Sequence, residues 1–371
     1  MQACSPDKPE KEPALTPAEG DSLLMAYAET FKLIRHQTYT EVTINEPWQG
    51  AAGPARYYLV PKGEPVPDHL GEEDVIRTPV SRTAVLSTSY LPMLNMLGVA
   101  STVRGFPDTS LISTRIYRQM ASEGILYDLG QGTQIDRELL LQIEPEVVFG
   151  FGVGEPSSIE RVLNAAGHRM VYNTDYLEKH PLGRAEWIKF FGAFYDKEAL
   201  ADSLFTTISE RYDSLRQRAT QNDPEPAVMA SNLYGDTWYV PAGESWVATF
   251  IHDAGGRYLW KDTEGAGSLQ MAFEPVLEKA QHADVWLNAS NYTSLKDMAA
   301  ADVRYTYFAP WKEGEVYNPL KSNGTANGNL YYELGYARPD LVLKDLILIL
   351  QPDMAATGVN ADTLTFYEKL P

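Results

Sequence analysis

The histidines are the first residues of this chain whose type and spacing could do chemistry. There are six, and none of them fall in the HxH, HxxxH or HExxH arrangements that place imidazole ligands on one zinc ion: His36, His69, His168, His180, His252 and His282. We therefore predict no zinc hydrolase site and no resident metal.

Two glycine-rich strings approach known catalytic or phosphate-binding motifs without matching them. Residues 265–268 read Gly-Ala-Gly-Ser, which is neither the nucleophile elbow of a serine hydrolase nor a phosphate loop. Residues 150–154 read Gly-Phe-Gly-Val-Gly and follow a predicted strand, but Ser157 stands where a dinucleotide turn needs its third glycine. We predict no catalytic residue and no cofactor, and hence no enzyme.

Large aromatic side chains are concentrated in loops at the ends of predicted strands. They stand beside glycine and asparagine in residues 232–239, 243–246, 305–311 and 331–332. Such residues suit a cleft whose walls stack on a planar or macrocyclic ligand. For any single residue the alternative is packing beneath a loop, but the set as a whole favours ligand binding.

The strongly acidic composition excludes nucleic acid as a binding partner, as the charges show. The 371 residues include 50 acidic and 31 basic side chains, which gives a formal net charge of −19. Nucleic-acid binders need a cationic face, so this class is excluded. No apolar run reaches the roughly 18 residues that a membrane-spanning helix needs.

The single cysteine, Cys4, cannot form an internal disulfide. It follows a small residue and precedes a polar, proline-rich stretch, as at the mature start of a bacterial lipoprotein. We predict lipid attachment at Cys4, and the alternative is an incidental thiol on a tail. A lipid would then be the only contact with the membrane.

The hydrophobic pattern divides the chain into five parts. Residues 1–20 read as a flexible tether and 21–78 as an N-terminal β extension packed on the first lobe. Short strand and helix units follow in 79–186, the N-terminal lobe, and again in 220–371, the C-terminal lobe. Residues 187–219 carry apolar side chains at helical spacing and predict one linking helix.

The fold class is therefore α/β, with two Rossmann-like lobes whose mostly parallel sheets are joined by one long backbone helix. The second lobe repeats the first, because residues 138–149 and 274–287 share a helix-to-strand pattern. Two similar lobes on one helix imply a cleft between them. A rigid helix between the lobes predicts that binding changes the shape of the protein little.

The chain from Pro79 to Asp353 resembles the cobalamin and iron-siderophore periplasmic binding proteins of ABC importers. The matching segments are residues 80–87, 97–99, 136–138, 145–148, 166–167, 250–256, 274–285 and 338–341. Pro145-Glu146 replaces the usual Pro-Asp pair, and residues 20–78 have no counterpart in the shorter members. The resemblance implies a monomeric carrier that delivers a metal chelate to a dimeric ABC permease.

The resemblance also implies which residues carry the function. An exposed glutamate on each lobe would dock on the permease: Glu274 in the second lobe, and in the first Glu155, or else Glu160. Ligand contacts would come from loops facing the cleft: Ser89, Tyr90, Arg104, Phe106, Phe151, Tyr176, Tyr234, Trp238, Trp246, Tyr292 and Trp311. Arg104 is the most specific of these predictions, because a ferric chelate is often anionic.

A ferric siderophore is the first choice of ligand, and a corrinoid (vitamin B12) or haem is the alternative. A rival interpretation is an enzyme of the nitrogenase type, with related α/β lobes. Such proteins need cysteine ligands for their clusters, and Cys4 is the only cysteine here. A third interpretation is a surface protein that binds a metallophore together with an outer-membrane receptor.

Overall fold

The structure is a computed structural model that describes residues 20–130, 135–152, 154, 158–166, 168–220, 225–321, 327–353 and 364–371. Within these residues the chain forms an N-terminal sheet, two α/β lobes and a pair of helices between the lobes. Cys4, Glu155 and all of the predicted tether except Gly20 lie outside the described residues.

The N-terminal extension is a five-stranded sheet in chain order. Its strands are β1 (Asp21–Leu23), β2 (Phe31–Arg35), β3 (Thr40–Ile44), β4 (Ala55–Pro61) and β5 (Val75–Thr78), antiparallel except for the parallel pair β4–β5. Alternation along β2 buries Phe31 and Leu33 and leaves Lys32 in solvent. Phe31 packs on Trp187, with ring centroids 4.6 Å apart, so the buried face lies against the body of the protein.

The first lobe is built on a parallel sheet with the strand order β10-β9-β6-β7-β8. The strands are β6 (Thr83–Val85), β7 (Val103–Phe106), β8 (Tyr127–Asp128), β9 (Val147–Gly150) and β10 (Met170–Tyr172). The helices are α1 (Tyr90–Met96), α2 (Arg115–Ser122), α3 (Arg137–Gln142) and α4 (Ser158–Ala165). This order reverses direction between β6 and β9, and doubly wound sheets bind ligands outside the carboxyl ends of strands at such a point.

Two helices connect the lobes, and the single helix predicted over 187–219 is corrected accordingly. They are α5 (Pro181–Phe194) and α6 (Glu198–Ala219). Asp196 has a φ of +53°, and the Lys197 amide donates to the Gly192 carbonyl at 2.9 Å, which is the hydrogen bond that ends a helix in a Schellman motif. The apolar spacing continues through this break because both helices bury a face in the core.

The second lobe contains a mainly parallel sheet with the order β14-β11-β16-β17-β18, and a three-stranded antiparallel sheet, β12-β13-β15. Its strands are β11 (Ala227–Ala230), β12 (Asn232–Tyr234), β13 (Thr237–Pro241), β14 (Arg257–Tyr258), β15 (Ser268–Met271), β16 (Val285–Leu287), β17 (Val316–Asn318) and β18 (Glu368–Lys369). The helices are α7 (Trp246–Asp253), α8 (Phe273–Ala280), α9 (Leu295–Ala301), α10 (Ala309–Glu313), α11 (Leu330–Leu334) and α12 (Pro339–Leu350).

The two lobes repeat one another where the sequence predicts it. In the first lobe α3 leads into β9, and in the second α8 leads into β16. The architecture confirms the predicted α/β class with mostly parallel sheets. None of the helices among the described residues is both long and apolar enough to cross a membrane.

Candidate functional site

The cleft side of the first lobe is formed by the segments that follow β6, β9 and β10. These parallel strands end at one edge of the sheet and are followed by Ser87–Ser89, by Phe151 and Gly152, and by Asn173–Tyr176. Helix α5 begins nearby, with Pro181 in its first turn and the His180 ring accepting the Leu182 amide at 3.0 Å. That start places Arg184 in the first turns of α5.

Arg184 lies between the lobes and is 5% exposed. Its guanidinium carbon is 4.7 Å from the ring centroid of Trp246 and 4.4 Å from that of Tyr336, both in the second lobe. On the first-lobe side, its Nη2 donates to the Tyr176 carbonyl at 3.1 Å. Its Nε and Nη1 have no hydrogen-bond partner within the described part of the chain. An unpartnered buried donor costs about 1–3 kcal/mol, so an acceptor beyond the described residues, such as a water or a ligand, would stabilise this guanidinium.

Asp175 lies beside Arg184 and is buried. Burial raises the pKa of Asp175 to about 6, while the positive charge of Arg184 and a hydrogen bond from Ser89 act in the opposite direction. The Ser89 hydroxyl is 3.5 Å from Oδ2 of Asp175, a long hydrogen bond. We call Ser89, Asp175, Arg184, Trp246 and Tyr336 the Arg184 cluster.

Two more buried polar atoms next to Asp175 lack a partner within the described residues: Nδ2 of Asn173 and the hydroxyl of Thr174. Buried polar groups in proteins are normally hydrogen-bonded, so several together mark a place that a ligand or water completes. No group of three or more His, Cys, Asp or Glu side chains stands at metal-binding distance in the described ranges. The cluster therefore suits binding of an anionic group flanked by flat surfaces.

The structure brings four of the predicted ligand residues together. Ser89, Tyr176 and Trp246 all contact Arg184 or Asp175. Trp246 is placed by the Ser245 side chain, which accepts the Ala248 amide at 3.2 Å and starts α7. Tyr90 is buried one layer below, with its hydroxyl 3.4 Å from the Asn173 carbonyl. Tyr90 therefore supports the cluster and does not line it.

Phe106 and Trp238 lie in the hydrophobic core, so the expectation that they touch a ligand is corrected. Trp238 packs against Trp286 and Phe308, with ring centroids 5.9 Å and 5.4 Å away. Phe106 and Trp238 each stand on a strand, where successive side chains point to opposite faces of the sheet. On the face that packs inward, a large aromatic side chain fills the core.

The other five predicted ligand residues are separate from the Arg184 cluster. Arg104 is half-buried on β7, Phe151 is exposed after β9, and Tyr234 is 79% exposed in the β12–β13 hairpin. Tyr292 contacts Tyr305, with ring centroids 5.6 Å apart, and the Trp311 indole donates to the Leu295 carbonyl at 3.1 Å. Arg184, which sequence reasoning did not select, is the arginine that contacts aromatic rings of the other lobe, and a ligand contact by Arg104 stays a prediction.

A second contact joins the lobes at Glu333 of α11. This side chain is fully buried, and its carboxylate accepts the Ser113 amide at 2.5 Å and the Thr114 amide at 2.7 Å. The Thr114 hydroxyl also donates to it. Thr114 immediately precedes α2, so a carboxylate of the second lobe caps a helix of the first. Burial raises the pKa of Glu333.

The glutamates predicted for docking differ in their surroundings. Glu274 is exposed and is the second residue of α8. Glu160 is half-buried and accepts a hydrogen bond from the Tyr172 hydroxyl. Glu138 is exposed and is the second residue of α3, which is the position of Glu274 in the repeated unit.

Sequence reasoning missed Arg184, Asp175, Tyr336 and Glu333. A usable feature was present for Arg184, because charged residues interrupt the apolar sequence of residues 181–194. A helix that is apolar all round is buried, so a charge within it needs a partner or a function.

Comparison with solved structures supports the fold independently. A periplasmic haem-binding protein from Roseiflexus sp. RS-1 superposes with a TM-score of 0.57 at 18% identity, covering 74% of this chain and 98% of that one. An ABC-type Fe3+-hydroxamate transport protein from Saccharomonospora viridis superposes with a TM-score of 0.54 at 18% identity, covering 74% and 94%. At such identities the likeness shows the fold alone.

Sequence comparison adds relatives and a family. An uncharacterized lipoprotein of Methanocaldococcus jannaschii is 28% identical over 313 residues, which are 80% of this chain and 73% of that relative. The model of the periplasmic binding protein family matches residues 83–317. Members of this family bind substrates for ABC transporters and are not enzymes. Since that model matches more than half of the chain, the chain belongs to the periplasmic binding protein family.

Proposed function

We propose that this protein captures an anionic metal chelate, first of all a ferric siderophore, between its lobes and delivers it to an ABC permease. The observation that carries the proposal is Arg184, buried between the lobes with two of its nitrogens, Nε and Nη1, unpartnered by any described residue. A guanidinium binds carboxylate-like oxygens through two parallel hydrogen bonds. The rings of Trp246 and Tyr336 on this group favour a ligand with flat or apolar parts.

Haem is the second candidate, because its propionates offer the same anionic groups to Arg184 and its macrocycle offers a flat face to the aromatic rings. A corrinoid would use the aromatic walls more than the cation.

Titration of intrinsic tryptophan fluorescence tests the ligand class. The chain has seven tryptophans, and Trp246 contacts Arg184 directly. We expect saturable quenching by ferric siderophores or haem and none by the metal-free siderophores at the same concentration. Quenching by cyanocobalamin alone would contradict the anionic class, and no quenching by any of these ligands would contradict the proposed function.

For docking on the permease we propose Glu138 and Glu274. Both are exposed in the first turn of the helix that leads into a central strand of each lobe, so the internal repeat places them equivalently. This replaces Glu160, which is engaged by Tyr172, and it leaves Glu155 as the alternative. Transport into vesicles should fall with Glu138→Ala plus Glu274→Ala and remain with the exposed control Glu278→Ala. Unchanged transport by the double variant would exclude this pair.

We further propose that Cys4 carries a lipid that holds the protein at the outer face of the membrane. The M. jannaschii relative is described as a lipoprotein, which supports this placement. Mass spectrometry of the protein isolated from its native membrane should show a diacylglycerol adduct on the N-terminal peptide. An unmodified Cys4 thiol in that peptide would contradict the proposal.

A further inference from the structure

The N-terminal sheet is not part of the matched family, whose model begins at residue 83. It is nevertheless tied firmly to the body of the protein. The buried Glu186 carboxylate accepts the amides of Ala26, Tyr27 and Ala28 at 2.7–2.9 Å. The buried Glu178 carboxylate accepts the amides of Glu29 and Thr30. Five consecutive amides therefore hold the segment that leads into β2 against α5 and the residues just before α5.

The loop between β3 and β4, residues 45–54, reaches the cleft edge of the first lobe. A Cβ atom on Gly152 would lie 2.6 Å from the Pro47 carbonyl oxygen and 3.0 Å from the Cβ of Trp48, so only glycine allows this approach. The Trp48 ring packs edge-on against Tyr172, with centroids 5.6 Å apart. Gly152 and Tyr172 lie at the carboxyl ends of β9 and β10, which is the edge where the cleft forms.

Tyr176 connects this loop to the Arg184 cluster. Its hydroxyl donates to the Gly152 carbonyl at 3.0 Å and accepts the Gln49 amide. Its own carbonyl accepts Nη2 of Arg184 at 3.1 Å. Tyr176 thus contacts both the loop and the guanidinium, and its ring is exposed.

We propose that residues 45–54 form a third wall of the ligand cleft and contact the part of a large chelate that lies farthest from Arg184. The inference rests on the proposed function and deepens it, because it selects a ligand long enough to reach from Arg184 past Tyr176. The loop offers the half-buried ring of Trp48 and the side-chain amide of the exposed Gln49. These groups suit an apolar or planar ligand surface edged with hydrogen-bonding groups.

Calorimetric titration of the full chain tests this, with ferrioxamine B, ferrichrome and haem as large chelates and ferric citrate as the small one. Loss of one aromatic contact should weaken binding of the best large chelate about tenfold in Trp48→Ala. We expect Trp48→Phe to retain most of the affinity and Gln49→Ala to lose about threefold, as for a single hydrogen bond. Ferric citrate should bind all variants within about twofold of the wild-type affinity.

The control is Gln37→Ala, an exposed glutamine at the opposite end of β3, which should bind every ligand as the wild type does. Because Trp48→Ala removes packing on Tyr172, hydrogen exchange of the wild-type chain supplies a readout that needs no variant. The amides of residues 49–53 should exchange more slowly when the large chelate is bound.

Unchanged exchange in this loop, together with unchanged affinity in Trp48→Ala and Gln49→Ala, would overturn the third wall. If Arg184→Gln still abolished binding in that case, the proposed function would stand without it. If none of these ligands bound the wild-type chain, the proposed function and this inference would fall together.

Discussion

Removing Glu333 tests the contact between the lobes most sharply. Its carboxylate holds the amides of Ser113 and Thr114 across the interface, and it is fully buried. Glu333→Ala leaves both amides, which immediately precede α2, without an acceptor. An unpartnered buried donor costs about 1–3 kcal/mol, so two such donors predict a loss of about 2–6 kcal/mol in the free energy of unfolding.

Glu333→Gln separates charge from shape. Burial raises the pKa of Glu333, so the ionised carboxylate carries a desolvation cost that the neutral amide does not have. The glutamine oxygen still accepts one of the two amides, and the expected loss is the net value of one hydrogen bond, about 1 kcal/mol. The order Ala below Gln below wild type is therefore the predicted ranking of stability.

Urea unfolding followed by circular dichroism measures the free energies. Double electron–electron resonance measures the distance between the lobes. The spin labels are attached to cysteines that replace the exposed Glu123 and Lys296 in a Cys4→Ser variant. We expect a broader distance distribution in Glu333→Ala and an unchanged one in the exposed control Glu278→Ala. If Glu333→Ala had a stability within about 0.5 kcal/mol of wild type and an unchanged distance distribution, the Glu333 contact would not hold the lobes together.

Three further predictions follow from single side chains. Burial raises the pKa of Asp175 to about 6, so the stability that its protonated form contributes is complete below the unfolded pKa and is lost as pH rises through about 6. An anionic ligand at Arg184 should therefore bind more tightly at pH 5 than at pH 7.5, as calorimetry at both pH values would measure. Asp175→Asn should remove this difference in affinity, and a difference that persists in the variant would contradict the role of Asp175. Glu186→Ala removes the acceptor of three amides and should expose residues 21–78 to limited proteolysis, whereas an unchanged digestion pattern would show that the sheet is held by other contacts. Asp196 has a φ of +53°, a conformation that a β-branched side chain does not tolerate. In urea unfolding, Asp196→Val should lower the free energy of unfolding by about 1–2 kcal/mol and Asp196→Gly should leave it near the wild-type value. Equal stabilities of the two variants would contradict this reasoning.

The regular elements were predictable because local spacing determines them. Apolar side chains at helical spacing from Leu341 to Leu350 predict the helix α12 found over residues 339–350, and the short run Met-Val-Tyr at residues 170–172 predicts the strand β10. The break at Asp196 was missed because a left-handed residue is not visible in apolar spacing. Aspartate tolerates that conformation better than most residues, and this was the only local indication.

The site was less predictable because its contacts join distant parts of the chain. Trp246 was identified from the aromatic residues in loops, a feature of composition, and Tyr176 from the family resemblance, which places its loop at the cleft. Arg184 was missed because it stands in a helix, and helical spacing alone does not say that a second lobe supplies the two aromatic rings in contact with it. The Glu333 contact spans about 220 positions, and no local pattern encodes such a pairing.

Isothermal titration of the wild-type chain and of Arg184→Gln with one ferric siderophore tests the central claim most directly. Arg304→Gln is the matched control, because Arg304 also lies over an aromatic ring, that of Phe273, but is paired with Asp302 outside the cluster. Arg184→Gln loses a bidentate, charge-assisted pair of hydrogen bonds to the ligand, so its affinity should be at least about 100-fold weaker than that of the wild type. The wild-type chain should bind one ligand per chain. Equal affinity in wild type and Arg184→Gln would contradict the account.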